Sequence, residues 1–315
     1  MTPAAIEANA LTRRFGSTTA VEDLDLSVPA GSVVGLLGPN GSGKTTTVRM
    51  LATLIAPTSG TARVLGLDVR TQAERIRHAI GLTGQFTAID PNLTGRENLL
   101  FIARLLGQRR GDARRRALDL LDRFSLTAAA DKPARTYSGG MRRRLDLAAS
   151  LLGEPAVLFL DEPTTGLDPI AREQLWDIIR TRIARGCTVL LTTQYLEEAD
   201  RLAGNIIIID HGRKVAEGAP AQLKRLAGDP TLTLRARDTA DTQRLHGVLH
   251  AIAGAPPAAL DAPEGREASA SVPAERVAAV IRAVDDAGIA LESISLREPD
   301  LDDVFRQLTT KEAGR

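Results

Sequence analysis

The chain has 315 residues, 43% hydrophobic and 25% charged, which allows two domains with a sizeable core and excludes disorder of the whole chain. Its 40 basic and 39 acidic residues leave a formal charge of +1, so no global field draws it onto nucleic acid. The single cysteine, Cys187, excludes a disulfide framework and is expected as a small core residue. No apolar run approaches the roughly 18 residues of a membrane span, and the N-terminus MTPAAIEANA lacks a secretion-signal pattern. The expected location is the cytoplasm, with any membrane reached by docking on another chain.

In chain order, the first 35 or so residues alternate apolar and polar positions around turns, with a strand over 21–28. Residues 33–37 form a buried strand that runs into a glycine-rich loop, and a helix follows from about Lys44 to Ile55. Residues 94–153 are mostly helical. Thr94-Gly-Arg-Glu97 fits a capping box, Leu99, Ile102, Ala103 and Leu106 follow at helical spacing, a second helix covers about 112–124, and a third starts after Ser138-Gly-Gly140. From 156 onward, strands over 157–160 and 188–192 alternate with helices over 171–184 and 196–203, and residues 206–210 close the set. This alternation predicts a mainly parallel sheet with an all-helical insert between two of its strands. A boundary near Gly228-Asp-Pro230 leads to a separate α+β domain of about 80 residues. It has strands over 231–235 and 289–297, helices over 242–252 and 274–287, and a Pro- and Ala-rich loop over 254–265.

Gly38-Pro39-Asn40-Gly41-Ser42-Gly43-Lys44-Thr45 matches G-x-x-x-x-G-K-[ST] and sits between a strand and a helix, as a phosphate loop requires. Glycines let successive N–H groups converge on one anion, and the helix adds its positive end. Lys44 is the charge for the β- and γ-phosphates of ATP, Thr45 is a hydroxyl ligand for Mg²⁺, and Thr46 completes the ATP-binding set. The strand at 157–160 ends in Asp161-Glu162, and a parallel strand delivers such residues to the ligand edge of the sheet. Asp161 is the second Mg²⁺ ligand, and Glu162 orients or deprotonates the attacking water.

Tyr137-Ser138-Gly139-Gly140-Met141, at a helix start 19 positions before Val157, resembles the signature loop of ABC-type ATPases. Asp161 to Asp168 (DEPTTGLD) is similar to that family's acid strand and following loop, and order and spacing agree over residues 6 to about 220. The signature run Ser138 to Arg144, the segment Thr192 to Asp200 and the tail Leu301-Asp-Asp-Val-Phe305 resemble most the ATPase subunits of daunorubicin-resistance-type exporters. The resemblance implies an α/β P-loop ABC-type core (1–228) with a mainly parallel sheet, an antiparallel β portion and a helical insert at about 90–153, plus a small α+β domain (231–310). It implies Phe15 stacked on adenine, Gln85 as the linking glutamine and a further Mg²⁺ contact, and Asp168 in the dimer loop. Ser138, Gly139, Gly140 and Met141 would cap the ATP of a second subunit, making the unit a homodimer. A separate membrane-spanning permease would be the partner, with this subunit peripheral on the cytoplasmic side of the cell membrane and no nucleic acid involved.

Two residues depart from the wider family. Gln194 stands where most members carry a histidine; its amide can donate a hydrogen bond but cannot shuttle a proton, so it is assigned a positioning role beside the base Glu162. Met141 stands in place of the usual glutamine. One alternative is a soluble ABC-type ATPase on ribosomes or DNA, disfavoured by the single phosphate loop and the 94 positions from Lys44 to Ser138, too few for a long coiled coil. The other is a non-hydrolysing ATP-bound module, which measurable turnover would exclude. His246 and His250 have zinc-like spacing without a third ligand, so no metal site is assigned, and the runs 114–116 and 142–144 are expected as solvated basic faces.

Overall fold

The computed structural model describes residues 3–84, 88–253 and 266–305; Gln85, the loop over 254–265 and the chain beyond Phe305 lie outside the described residues. The chain divides into two compact units, 1–220 and 221–315.

In the first unit, β1 (Ala4–Phe15) and β2 (Thr18–Pro29) form an antiparallel hairpin. β3 (Val33–Leu37), buried at every position, leads into the phosphate loop and α1 (Lys44–Leu51). β4 (Ser59–Val64) and β5 (Leu67–Asp68) complete the antiparallel sheet in the order β2-β1-β4-β5. After α2 (Ala73–Ala79) and β6 (Ile80–Thr83) come three helices, α3 (Gly95–Leu105), α4 (Arg110–Arg123) and α5 (Gly139–Ser150), which pack on one another as the helical insert. The predicted capping box is present: Thr94 accepts from the Glu97 N–H (3.1 Å) and Glu97 from the Thr94 N–H (2.8 Å), a cap typically contributing about 1 kcal/mol.

The α/β part resumes with β7 (Val157–Asp161), α6 (Pro169–Ile183), β8 (Thr188–Thr193), α7 (Leu196–Leu202), β9 (Asn205–Asp210) and β10 (Arg213–Gly218). The second sheet runs β10-β9-β3-β8-β7-β6. All its pairings are parallel except β9 with β10. β7 and β8 are buried throughout, which is why they read as unbroken apolar runs. Residues 206–210 therefore do not close the set: β10 follows as an antiparallel edge, its short, half-polar pattern too weak to stand out in sequence. Ile6, Leu11, Leu24, Val48, Leu51, Phe159 and Ile207 belong to one core cluster, which joins the antiparallel sheet, α1 and the parallel sheet.

α8 (Pro220–Leu226) precedes the second unit's sheet. That sheet holds β11 (Thr231–Ala236) at its centre, flanked antiparallel by β12 (Glu267–Ser271) and β13 (Leu291–Arg297). α9 (Thr242–Ala253) and α10 (Ala274–Asp286) supply the rest of its core, with Leu232, Leu234, Leu245, Leu249, Val280 and Val284 buried together. No helix among the described residues is long and apolar enough to cross a membrane.

Candidate active site

The phosphate loop leaves the C-terminal end of β3, the edge at which parallel sheets bind ligands. Gly43 has φ 103°, and a Cβ there would lie 2.5 Å from the Ala20 carbonyl, so only glycine fits this turn. No side chain caps α1, whose first N–H groups are left to the loop and any anion it receives. The Lys44 ammonium donates to the carbonyls of Gly38 (2.7 Å) and Pro39 (2.9 Å). Burial pulls its pKa down, against the raising fields of Glu162 and Asp161. The Ser42 hydroxyl is buried with no partner among the described residues, an unsatisfied polar atom inside the cradle.

Asp161 is 2% exposed, and its Oδ1 accepts from the hydroxyls of Thr45 (3.2 Å) and Thr192 (2.5 Å). Thr45 and Asp161, 116 positions apart, thus meet as hard oxygen donors, a set that suits Mg²⁺. Glu162 holds a left-handed backbone, φ 50°, uncommon for a non-glycine residue and of order 1 kcal/mol or more in cost. Its N–H donates to the Thr192 carbonyl at 3.0 Å, which fixes the turn that aims its carboxylate. β8 lies between β3 and β7, so its Thr192 supports both acids. Thr192 carried no assignment in the sequence, because strand order is not a local property.

Phe15 is 47% exposed, and the Arg13 guanidinium stacks on its ring at 4.5 Å from the centroid. The cation rigidifies the ring and leaves the rest of it open. On the expectation that Phe15 stacks on adenine, Phe15→Ala weakens ATP binding roughly tenfold, the loss of one aromatic–base stack of about 1–3 kcal/mol, with kcat little changed; nucleotide titration checks it. Gln194 follows β8 directly and is exposed. Asp168 caps α6, accepting from the Ala171 N–H at 2.8 Å. Ser138 likewise caps α5, accepting from the Met141 N–H at 3.2 Å, while Ser138 and Gly139 stay exposed. A cavity of about 380 Å³ is lined by Gly139, Arg143, Asp146, Asp161 and Glu162, which brings the start of α5 beside the acid pair of the same chain.

The basic run 142–144 is not a uniformly solvated face. Arg142 is exposed, but Arg143 turns inward and donates to four carbonyls: Gly84 (2.7 Å), Asp161 (3.0 Å), Glu162 (2.7 Å) and Pro163 (3.1 Å). Burial lowers its pKa, and the carboxylates of Asp146, Asp161, Glu162 and Glu198 push the other way. Arg144 donates to the Phe124 carbonyl at 3.1 Å, closing the end of α4. Three consecutive arginines are indistinguishable in sequence; the helix turns each by about 100° and only packing decides which one points inward.

Glu198 also carried no assignment. It is fully buried, accepting from the Thr164 hydroxyl (3.3 Å) and the Trp176 indole N–H (3.4 Å). It ties the loop after the acid pair to the helix that follows Gln194. Burial raises its pKa above the ordinary 4.5, offset by bonds from Thr193, Trp176 and Thr164 and by the Arg172 charge. A raised folded pKa gives stability that is full below the unfolded value and is lost as pH rises through the folded one. Glu198→Gln removes that slope. Its Tm relative to wild type is expected to climb by roughly a few degrees as pH rises from acid to neutral, followed by calorimetry.

A phosphate loop and an acid pair at the same edge of a parallel sheet, on strands separated by β8, with a helix start beside them, define a P-loop nucleoside-triphosphatase. The ABC transporter family model matches residues 21–165. The chain is 49% identical to the daunorubicin resistance ATP-binding protein DrrA2 of Streptomyces coeruleorubidus, over 97% of this chain and 95% of that one. It is 48% identical to the daunorubicin/doxorubicin resistance ATP-binding protein DrrA of Streptomyces peucetius, over 97% and 92%. The chain belongs to the ABC transporter family, as one of its ATP-hydrolysing subunits. Among solved structures, the ATP-binding subunit of an ABC transporter matches with a TM-score of 0.66 at 28% identity, over 71% of this chain and 93% of that one. A dimeric bacterial ABC transporter cassette matches with a TM-score of 0.63 at 25% identity, over 68% and 98%.

Proposed function

We propose that this chain hydrolyses ATP with Mg²⁺ to drive export of a hydrophobic or amphipathic compound, a drug, antibiotic or lipid, through a separate membrane-spanning permease. The observation that carries the chemistry is the meeting of Thr45 and Asp161 beside Lys44 and Glu162. The similarity to daunorubicin- and doxorubicin-resistance ATP-binding proteins over nearly the whole chain supports the export reading.

Lys44 and the loop N–H groups of Gly38 to Thr46 bind and orient the phosphate chain, and Phe15 stacks on adenine. Glu162 accepts the proton of the attacking water, and Gln194 positions the γ-phosphate through its amide. Thr45, Asp161 and Gln85 would hold Mg²⁺, whose charge offsets that of the phosphates. Gln194→Ala is expected to lower kcat by about 10-fold or more with ATP affinity within a few-fold, the pattern of a lost positioning contact; single-turnover hydrolysis reads it.

The active unit is a homodimer in which Ser138, Gly139, Gly140 and Met141 of one subunit cap the ATP of the other and Asp168 lies in the dimer loop. The exposure of Ser138 and Gly139 at the start of α5 supports this reading. The permease docks on an apolar groove of about 420 Å³ lined by Leu82, Phe101, Ile102, Leu105 and Leu106. Phe101 and Leu105 are 54% and 68% exposed on it, unusual for side chains of this size. The subunit is then peripheral, on the cytoplasmic face of the cell membrane.

Affinity purification from source membranes in mild detergent tests the reading. A multi-spanning membrane protein in roughly equal amount is expected. Ribosomal proteins or DNA without such a partner would leave the ATPase and remove the transport role.

A further inference from the structure

A second cavity with arginines in its wall lies at the opposite edge of the parallel sheet from the phosphate loop. There the ends of α4, α5 and α6 converge on a cavity of about 200 Å³, lined by Leu120, Arg123, Leu151, Asp177, Thr181 and Arg182. Arg182 lies just before β8 begins, at the end of the strand remote from Thr192.

Arg182 is 7% exposed and, among the described residues, its side chain makes no hydrogen bond and no ion pair. None of its nitrogens is among the fully buried unpartnered polar atoms, so the five donors of its guanidinium open on the cavity. The charges around it are already committed. Arg116 pairs with Glu154 at 2.5 Å and donates to the Leu151 carbonyl at 3.2 Å. Arg123 pairs with Asp119 at 2.9 Å, and Asp177, at the exposed rim, pairs with Arg180 at 2.9 Å. Burial lowers the Arg182 pKa, and the fields of Arg116, Arg185 and Arg123 add to that effect, with Glu154 opposing.

Helix C-termini explain why arginines gather here, since their free carbonyls attract cations. Arg116 and Arg144 meet such carbonyls through hydrogen bonds. Arg182 does not, so capping does not account for it. A larger cavity on the other side of Arg116, about 450 Å³, sets Arg115 and Arg116 against Asp112, Asp119 and Glu154 and has no comparable excess of positive charge.

We propose that the smaller cavity binds a phosphate-sized oxyanion on the Arg182 guanidinium, with Arg123 at its mouth. The planar fork of Arg182 suits two oxygens of a tetrahedral anion. The bound anion supplies the acceptors that Arg182 lacks, and it ties the end of α5, whose other end carries Ser138, to α4 and α6.

The test titrates inorganic phosphate into the full chain by calorimetry, with the nucleotide site filled by Mg²⁺ and the non-hydrolysable analogue AMP-PNP. One phosphate per chain is expected, with affinity at least 10-fold weaker in Arg182→Met, less reduced in Arg182→Lys, and AMP-PNP affinity unchanged in both. In phosphate-free buffer Arg182→Met is expected to melt close to wild type, because it removes a cation that makes no hydrogen bond or ion pair among the described residues. Phosphate near ten times its Kd is expected to raise the wild-type Tm by about 2–4 °C and leave the variant unmoved. Should Arg182→Met not fold, Arg123→Gln serves, with a several-fold loss of phosphate affinity. No phosphate uptake at tens of millimolar, or uptake unchanged in the variants, overturns the proposal. An Arg182→Met Tm lowered equally with and without phosphate overturns it as well, since that marks Arg182 as a structural cap.

Discussion

Replacing Glu162 by glutamine is expected to lower kcat for Mg-ATP hydrolysis by about 10²–10⁴-fold while leaving ATP binding intact, the range for loss of a positioned general base. Glutamine keeps the size of the side chain and its contact with the Thr165 hydroxyl, 3.4 Å in the wild type. It cannot accept a proton. The left-handed backbone at position 162 is set by the Thr192 bonds, so the substitution adds no new strain. Two readouts separate the base role from a binding role. Equilibrium titration gives an ATP affinity close to wild type. Light scattering with Mg-ATP is expected to show a long-lived dimer, on the proposal that ATP joins the subunits and hydrolysis releases them. A persistent monomer would count against the composite site, and an undiminished kcat against the base.

Arg143→Met is the second large effect. Four carbonyls from two stretches of chain converge on one guanidinium, and methionine replaces its apolar stem while removing every donor. Its partners include the carbonyls of both Asp161 and Glu162, and of Gly84, the residue before Gln85. One helical turn further along α5, Asp146 accepts from the Ala88 N–H at 3.0 Å. The signature helix therefore grips both flanks of the segment that carries Gln85 as well as the turn that carries the acids. Losing this grip is expected to lower kcat about 100-fold, since misplacements near 1 Å cost that much. Stability should fall by about 3–5 kcal/mol, as stranded buried carbonyls each cost about 1–3 kcal/mol and partly relax to water. Arg143→Lys should recover part of the stability and little of the rate, because one ammonium cannot span four acceptors. Denaturant melts and steady-state kinetics on the three proteins read both. A kcat that follows stability alone, with Lys restoring both together, would reduce Arg143 to a structural role.

The sequence by itself determined what is written in short stretches. The phosphate loop, the Asp161-Glu162 pair, the Thr94 capping box and the buried runs of β3 and β7 each depend on residues a few positions apart, so spacing and residue type suffice to read them. β4, β5, β6, β10 and β12 went unassigned, being short edge or half-exposed strands whose alternation is weak. Tertiary structure alone decided which strands are neighbours. By placing β8 between β3 and β7 it recruited Thr192 to Asp161 across 31 positions. It also chose among chemically identical side chains: Arg143 over Arg142, Glu198 over Glu197, Arg182 over Arg180. Those choices arise from long-range packing, which sets the helix face that meets the sheet and thereby which charge loses its water.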